Sequence, residues 1–158
     1  MEIKNLMFLA GKWRGFGLAV YPDIIPVSYS EELTCEYDRF KDLLFYTQLT
    51  NYTDPEKEGR TLHMESGFIK KSESGVIELS NAQNNGRVEV MMLDEFDLLT
   101  EKIQLVFRSK IFGNDPRMII TERRYNCING KISYEMKMST LKNPELTTHL
   151  TGELIRDK

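Results

Sequence analysis

At 158 residues the chain has the length of one domain and is long enough to bury a core without staples. A formal net charge of −3 gives no broad basic footprint, so a nucleic-acid partner is not expected. Two cysteines, Cys35 and Cys127, are too few and too far apart for a disulfide framework or a zinc site, and they read as buried free thiols.

In chain order, Met7-Phe8-Leu9-Ala10 comes first. It is too short for a signal peptide or a membrane span, so no membrane association is expected and a cytoplasmic address follows by default. Gly11-Lys-Trp13-Arg-Gly15-Phe-Gly17-Leu-Ala-Val-Tyr21-Pro22 holds the only tryptophan and places glycines at alternate positions. Glycine within a strand marks a bend or a close approach of ligand or backbone, and a Gly-rich first strand anchored by Trp suits a small closed barrel. Asn51-Tyr-Thr53 fits a glycosylation sequon, which carries little weight without a secretory signal. Arg87–Leu93 and Leu105–Arg108 are strand-like, and Lys131–Met138 alternates with Ile132, Tyr134, Met136 and Met138 on one face. Asn129-Gly130 between two alternating runs predicts a tight hairpin. In all, about ten strands are expected, near 12–20, 26–38, 42–52, 60–71, 76–82, 87–95, 102–109, 117–128, 131–139 and 147–156. No segment predicts an amphipathic helix of three turns, and no linker or repeat divides the chain. The residues therefore predict an all-β single domain over 1–158, an antiparallel sandwich or a closed barrel.

Several patterns bear on chemistry. Gly15-Phe-Gly17 lacks the third glycine and the following helix of a dinucleotide loop. There is no Gly-x-Ser-x-Gly elbow and no His/Cys/carboxylate cluster with metal-ligand spacing. The two histidines, His63 and His149, are far apart, and a lone histidine in a β-protein is usually a surface or hydrogen-bonded residue. One histidine still suffices for a metal that brings its own chelate, as haem does. Alternation groups His149 with Thr147, Thr151 and Glu153, opposite Leu150 and Leu154, which taken alone points His149 outward; a polar-lined barrel would reverse this. Arg123-Arg124-Tyr125 has the Arg-x-Tyr spacing that grips a fatty-acid carboxylate, against a solvated strand face as the bland alternative. Met91-Met92 and Met136/Met138 suit a soft apolar cavity or an adaptable core.

Together the motifs resemble the nitrobindin family of haem-binding β-barrels, related in shape to lipocalins and fatty-acid-binding proteins. The resemblance rests on Gly11, Trp13, Gly15, Gly17, Tyr21 and Pro22, then Tyr29-Ser-Glu31-Glu32-Leu33. It continues through Leu62-His63-Met-Glu65-Ser-Gly67-Phe-Ile69 and Ala82-Gln83-Asn-Asn-Gly86-Arg-Val88-Glu89-Val90 to His149-Leu150, in family order over nearly the whole chain. It implies a closed up-and-down antiparallel β-barrel of about ten strands with haem b in its mouth and His149 as axial iron ligand and catalytic centre. It also implies a pocket that includes Leu62, His63, Gln83 and Met138. Asp23 stands where many members carry a haem-contacting threonine, and a carboxylate there needs a cation beside it. Arg117 stands near the place of a family lysine, as a propionate partner. The implied chemistry is nitric oxide binding by ferrous haem and isomerisation of peroxynitrite to nitrate by ferric haem. The competing expectation is an intracellular carrier of a fatty acid or similar apolar ligand, without haem. A barrel that serves only as an interaction module is the third. A homodimer is a further expectation, since small barrels with exposed strand edges often pair.

Overall fold

The protein is described here from a computed structural model covering residues 1–98 and 102–157. The strands are β1 (Gly11–Tyr21), β2 (Ile24–Asp38), β3 (Leu43–Tyr52), β4 (Thr61–Lys71) and β5 (Ile77–Gln83). They continue with β6 (Val88–Leu98), β7 (Lys102–Gly113), β8 (Met118–Ile128), β9 (Lys131–Thr140) and β10 (Thr147–Arg156). Each pairs antiparallel with its sequence neighbours, and β1 pairs with β10, so the ten strands close into an up-and-down barrel. Of the two architectures the residues allow, this is the barrel. Strands β6 and β7 run past the expected 95 and 109 because two register shifts, at Val90/Met91 and Leu93/Glu95, let their pairing continue around a bend. Closure removes the free strand edges on which the homodimer expectation rests.

Local chemistry explains the strands. Along β9, Ile132 and Tyr134 are buried while Lys131 and Ser133 are exposed, as a half-buried pleat requires. Asn129 (φ 50°) and Gly130 (φ 73°) turn the β8–β9 hairpin with both central residues at positive φ, the conformation that favours Asn-Gly. In β1 the close approach that the glycines allow comes from the protein itself. A Cβ on Gly17 would lie 2.3 Å from the Tyr29 ring and 2.4 Å from the Thr151 carbonyl oxygen.

Two 3-10 helices lie outside the strand pattern among the described residues: a single turn at Pro55–Lys57 and a longer one at the N-terminus. Residues Ile3–Leu9 form a 3-10 helix whose Ile3, Leu6 and Leu9 are buried. Their spacing of three matches the three residues per turn of that helix. The Trp13 indole N–H donates to the Leu9 carbonyl at 2.8 Å, and the Arg156 guanidinium lies 4.3 Å from the Trp13 ring centroid. The helix thereby closes the barrel end at which β1 begins. Behind it lies an apolar core that includes Leu33, Leu44, Ile69, Leu79, Leu105 and Phe107. Cys35 and Cys127 are buried free thiols in that core, and burial pushes both up to about 12. Further along the axis the interior turns polar, with Glu31, Gln48, Glu65, Asn81, Glu89 and Arg123 all buried.

Candidate functional site

Beyond the polar layer, the end of the barrel opposite the helix opens into a cavity of about 540 Å³. That lies within the roughly 300–1,000 Å³ of small-molecule sites. Its wall includes Tyr21 and Asp23 at the β1–β2 turn, Arg117 before β8 and Asn143 before β10. All seven residues that the sequence singles out, His149, Leu62, His63, Gln83, Met138, Asp23 and Arg117, line this one cavity. A larger hollow, about 1020 Å³, lies over β1, β2, β9 and β10 and is bordered by Arg14, Glu32, Glu153 and Asp157; it contains neither histidine.

His149 lies in the wall against the alternation of its strand, and a bulge is the reason. The β10–β9 register shifts between Thr148, opposite Lys137, and Leu150, opposite Met136. His149 is the extra residue, and a bulge re-aims the side chain it carries. A second bulge on β1, between Ala19 and Tyr21, presents the Val20 carbonyl to it. His149 Nδ1 lies 2.9 Å from the Val20 oxygen, which can only accept, so Nδ1 carries the proton. Burial, with a smaller contribution from the Arg87 charge, pulls the imidazole pKa below its ordinary value. Near pH 7 the ring is therefore neutral with its Nε2 lone pair free, the state in which histidine binds a metal. The Tyr21 ring braces it edge-on, with centroids 5.6 Å apart. Among the described residues no three of His, Cys, Asp or Glu come together as a metal site. Any metal on His149 must then bring its other ligands, which is the donor set haem supplies.

Leu62 and His63 are sequence neighbours, yet both line the cavity. The β3–β4 register shifts at Thr50/Asn51, and Leu62 is the unpaired residue. His63 Nε2 lies 3.2 Å from Glu65 Oε2. Burial alone would raise the Glu65 carboxyl, but the Arg123 guanidinium and the His63 hydrogen bond outweigh it and hold it well below the usual carboxylate range. An ionised carboxylate only accepts, so His63 Nε2 carries a proton and donates it to Glu65. The Gln83 amide nitrogen donates to Asn81 Oδ1 at 3.3 Å, while Gln83 Oε1 is buried with no partner among the described residues. Met136, Met138 and Leu150 supply apolar wall.

The charged groups at the mouth are mostly paired. Asp23 accepts from Lys142 Nζ at 2.7 Å, which lowers its pKa and supplies the cation that this position needs. Arg117 is held by Asp115 through Nε at 2.9 Å and Nη2 at 3.0 Å. Arg123 does not reach the cavity as a free grip: its Nη1 and Nη2 donate to Glu65 at 2.5 and 3.0 Å, and Nη2 donates to Glu89 at 3.1 Å. Sequence reasoning missed Lys142, which pairs with a residue 119 positions away and leaves no local signal. It also missed Arg87, although Arg87, Glu89 and Met91 share one strand parity, and that parity was a usable signal.

A model of the THAP4-like, heme-binding beta-barrel domain family matches residues 2–156. The chain is 34% identical over 152 residues to a protein of Arabidopsis thaliana named peroxynitrite isomerase Rv2717c, covering 96% of this chain and 87% of the relative. It is 28% identical over 162 residues to peroxynitrite isomerase 1 of Mycobacterium tuberculosis, covering 99% of this chain and 95% of that one. The crystal structure of Rv2717c from M. tuberculosis superposes with a TM-score of 0.87 at 27% identity, over 99% of this chain and 97% of the other. With a family match over nearly its full length, on a barrel whose cavity presents a neutral histidine, the chain belongs to the THAP4-like, heme-binding β-barrel domains.

Proposed function

We propose that this chain binds haem b through His149 Nε2, that it binds nitric oxide, and that it isomerises peroxynitrite to nitrate, the last being the activity in the names of its relatives. The observation that carries this reading is the pairing of two bulges, which places His149 in the cavity and commits its Nδ1–H to the Val20 carbonyl. When bound, the haem supplies an iron that takes nitric oxide in the ferrous state and at which peroxynitrite rearranges in the ferric state. The protein's part is to orient and to exclude. Val20 and Tyr21 fix the plane of the His149 ring and keep one lone pair aimed inward. Leu62, Met136, Met138 and Leu150 keep water from the apolar part of the cavity. His63 commits its Nε2–H to Glu65 and does not present that proton to a bound ligand. Isomerisation of peroxynitrite to nitrate conserves atoms, charge and electrons, so no reductant or proton-donating residue is needed.

The test is titration with haemin followed by absorbance. The protein is expected to develop a Soret band at one equivalent, and His149→Ala to weaken or abolish it. An unchanged spectrum in His149→Ala would overturn the ligand assignment. Loaded protein should also convert peroxynitrite to nitrate faster than the His149→Ala variant at equal haemin. The fatty-acid reading loses its expected anchor, because the Arg123 guanidinium is buried and its charge is already met by Glu65 and Glu89.

A further inference from the structure

Among the described residues, the cavity's charged side chains pair off with one exception. Asp23 has Lys142, Arg117 has Asp115, and Glu65 has Arg123. Among the described residues Arg87 has no carboxylate of its own: Glu89, whose charge acts on it most, is held by Arg123. Its side chain is only 13% exposed, and its Nε is buried without a partner. Its Nη1 points at the Met118 sulfur, 3.1 Å away, a weak acceptor. The nearest carboxylate oxygen, Asp115 Oδ2, is 3.9 Å away and already accepts from Arg117. A guanidinium withdrawn from water and left in this state is costly, and the cost is recovered when an anion meets it.

The position is also built. Arg87 follows the Asn84-Asn85-Gly86 turn at the cavity rim. Its N–H donates to Asn85 Oδ1 at 3.0 Å and its carbonyl accepts from the Gln83 N–H at 2.9 Å. The backbone is thus pinned while the side chain faces the cavity.

We propose that Arg87 is a binding residue for a carboxylate carried on an apolar body, and that this carboxylate is a haem propionate. The inference rests on the haem-binding reading above. The planar fork of a guanidinium matches a carboxylate with two parallel N–H donors. Arg87 stands at the rim, where a propionate would leave the apolar wall of Leu62, Met136 and Leu150. Arg123 and Arg117, the cations that the sequence suggests for a carboxylate, already hold carboxylates of the protein. A fatty acid carries the same chemical group, so the experiment separates the two sources.

Wild type, Arg87→Leu and Arg87→Lys are titrated with haemin and with haemin dimethyl ester, whose propionates carry no charge. Arg87→Leu is expected to weaken haemin binding about ten- to a hundredfold, the loss of a charge-assisted contact, while ester binding changes less than about twofold. Arg87→Lys should retain part of the haemin affinity. The ligand-free Leu variant should melt no lower than wild type, because an unpaired buried charge has gone. Equal haemin affinity in wild type and Arg87→Leu would overturn the proposal, as would equal weakening for haemin and the ester, which would make the effect one of shape. A fluorescent fatty acid whose binding depends on Arg87, with haemin indifferent to it, would assign the carboxylate to a lipid and also overturn it. Failure of the haem reading itself looks different: no His149-dependent Soret band forms in wild type. Failure of the Arg87 assignment leaves that band intact.

Discussion

Adjacent residues on one strand lead opposite lives in this barrel. Arg123 is 1% exposed and feeds two buried carboxylates, Glu65 and Glu89. Its neighbour Arg124 faces outward and makes one long contact with Glu122, at 3.4 Å. Burial decides which of them matters. Glu65→Gln takes away the carboxylate that meets both Arg123 donors and also accepts from the Tyr46 hydroxyl at 2.7 Å. Breaking a buried pair leaves a charge uncompensated, so a loss of about 3–5 kcal/mol is expected in urea unfolding. Arg124→Ala should stay within about 0.5 kcal/mol of wild type. Equal effects of the two substitutions would show that the interior is wet enough to screen the network. The sequence displays Arg123-Arg124-Tyr125 as one short run and cannot tell which arginine faces in until strand parity is known.

Elements decide what parity means. Alternation and turn residues were enough to place all ten strands, because a half-buried pleat writes period two into the chain. They were not enough to orient His149 or to put Leu62 and His63 in one cavity. A bulge shifts the side-chain phase of its strand by one residue, and these bulges are set by pairing with distant strands: β10 against β9, and β3 against β4. Only the family resemblance pointed His149 inward. The N-terminal 3-10 helix escaped notice because its three apolar anchors are too few for a helical period of three turns. It is nonetheless an integral plug. Leu6 is fully buried in the core, so Leu6→Ala is expected to cost about 2–5 kcal/mol. Because the plug and the cavity occupy opposite ends, haemin affinity at a temperature where the variant is folded should change little. A parallel loss of stability and haemin affinity would mean that the two ends are coupled through the polar layer.

For the whole molecule, the polar layer between plug and cavity makes stability depend on pH in a way that isolates one residue. Glu31 is 4% exposed; it accepts from Gln48 Nε2 at 2.8 Å and from the Tyr134 hydroxyl, which is also 2.6 Å from the Tyr29 hydroxyl. Glu65 and Arg123 are the other charged groups that act on it, with opposite sign. Burial outweighs the two hydrogen bonds and raises the Glu31 carboxyl from 4.5 to about 7. Between those values the folded protein holds a proton that the unfolded chain has released. Stability from this group is therefore complete below about pH 4.5 and is lost as pH rises through about 7, worth up to about 3 kcal/mol. Other carboxylates work the opposite way: Glu65, Asp23 and Asp115 are all lowered and stabilise the fold only above acid pH. The total curve mixes both, but the difference between wild type and Glu31→Gln does not. Gln keeps the neutral shape, with an oxygen for Gln48 and an N–H for Tyr134, so Tyr134 can donate to Tyr29 and Tyr29 to the Thr151 carbonyl, 3.0 Å away. The variant should match wild type near pH 4.5, gain on it through neutrality, and hold a constant advantage above about pH 8. Urea midpoints at five or six pH values would measure this, and an advantage independent of pH would mean that Glu31 is already ionised in the folded barrel.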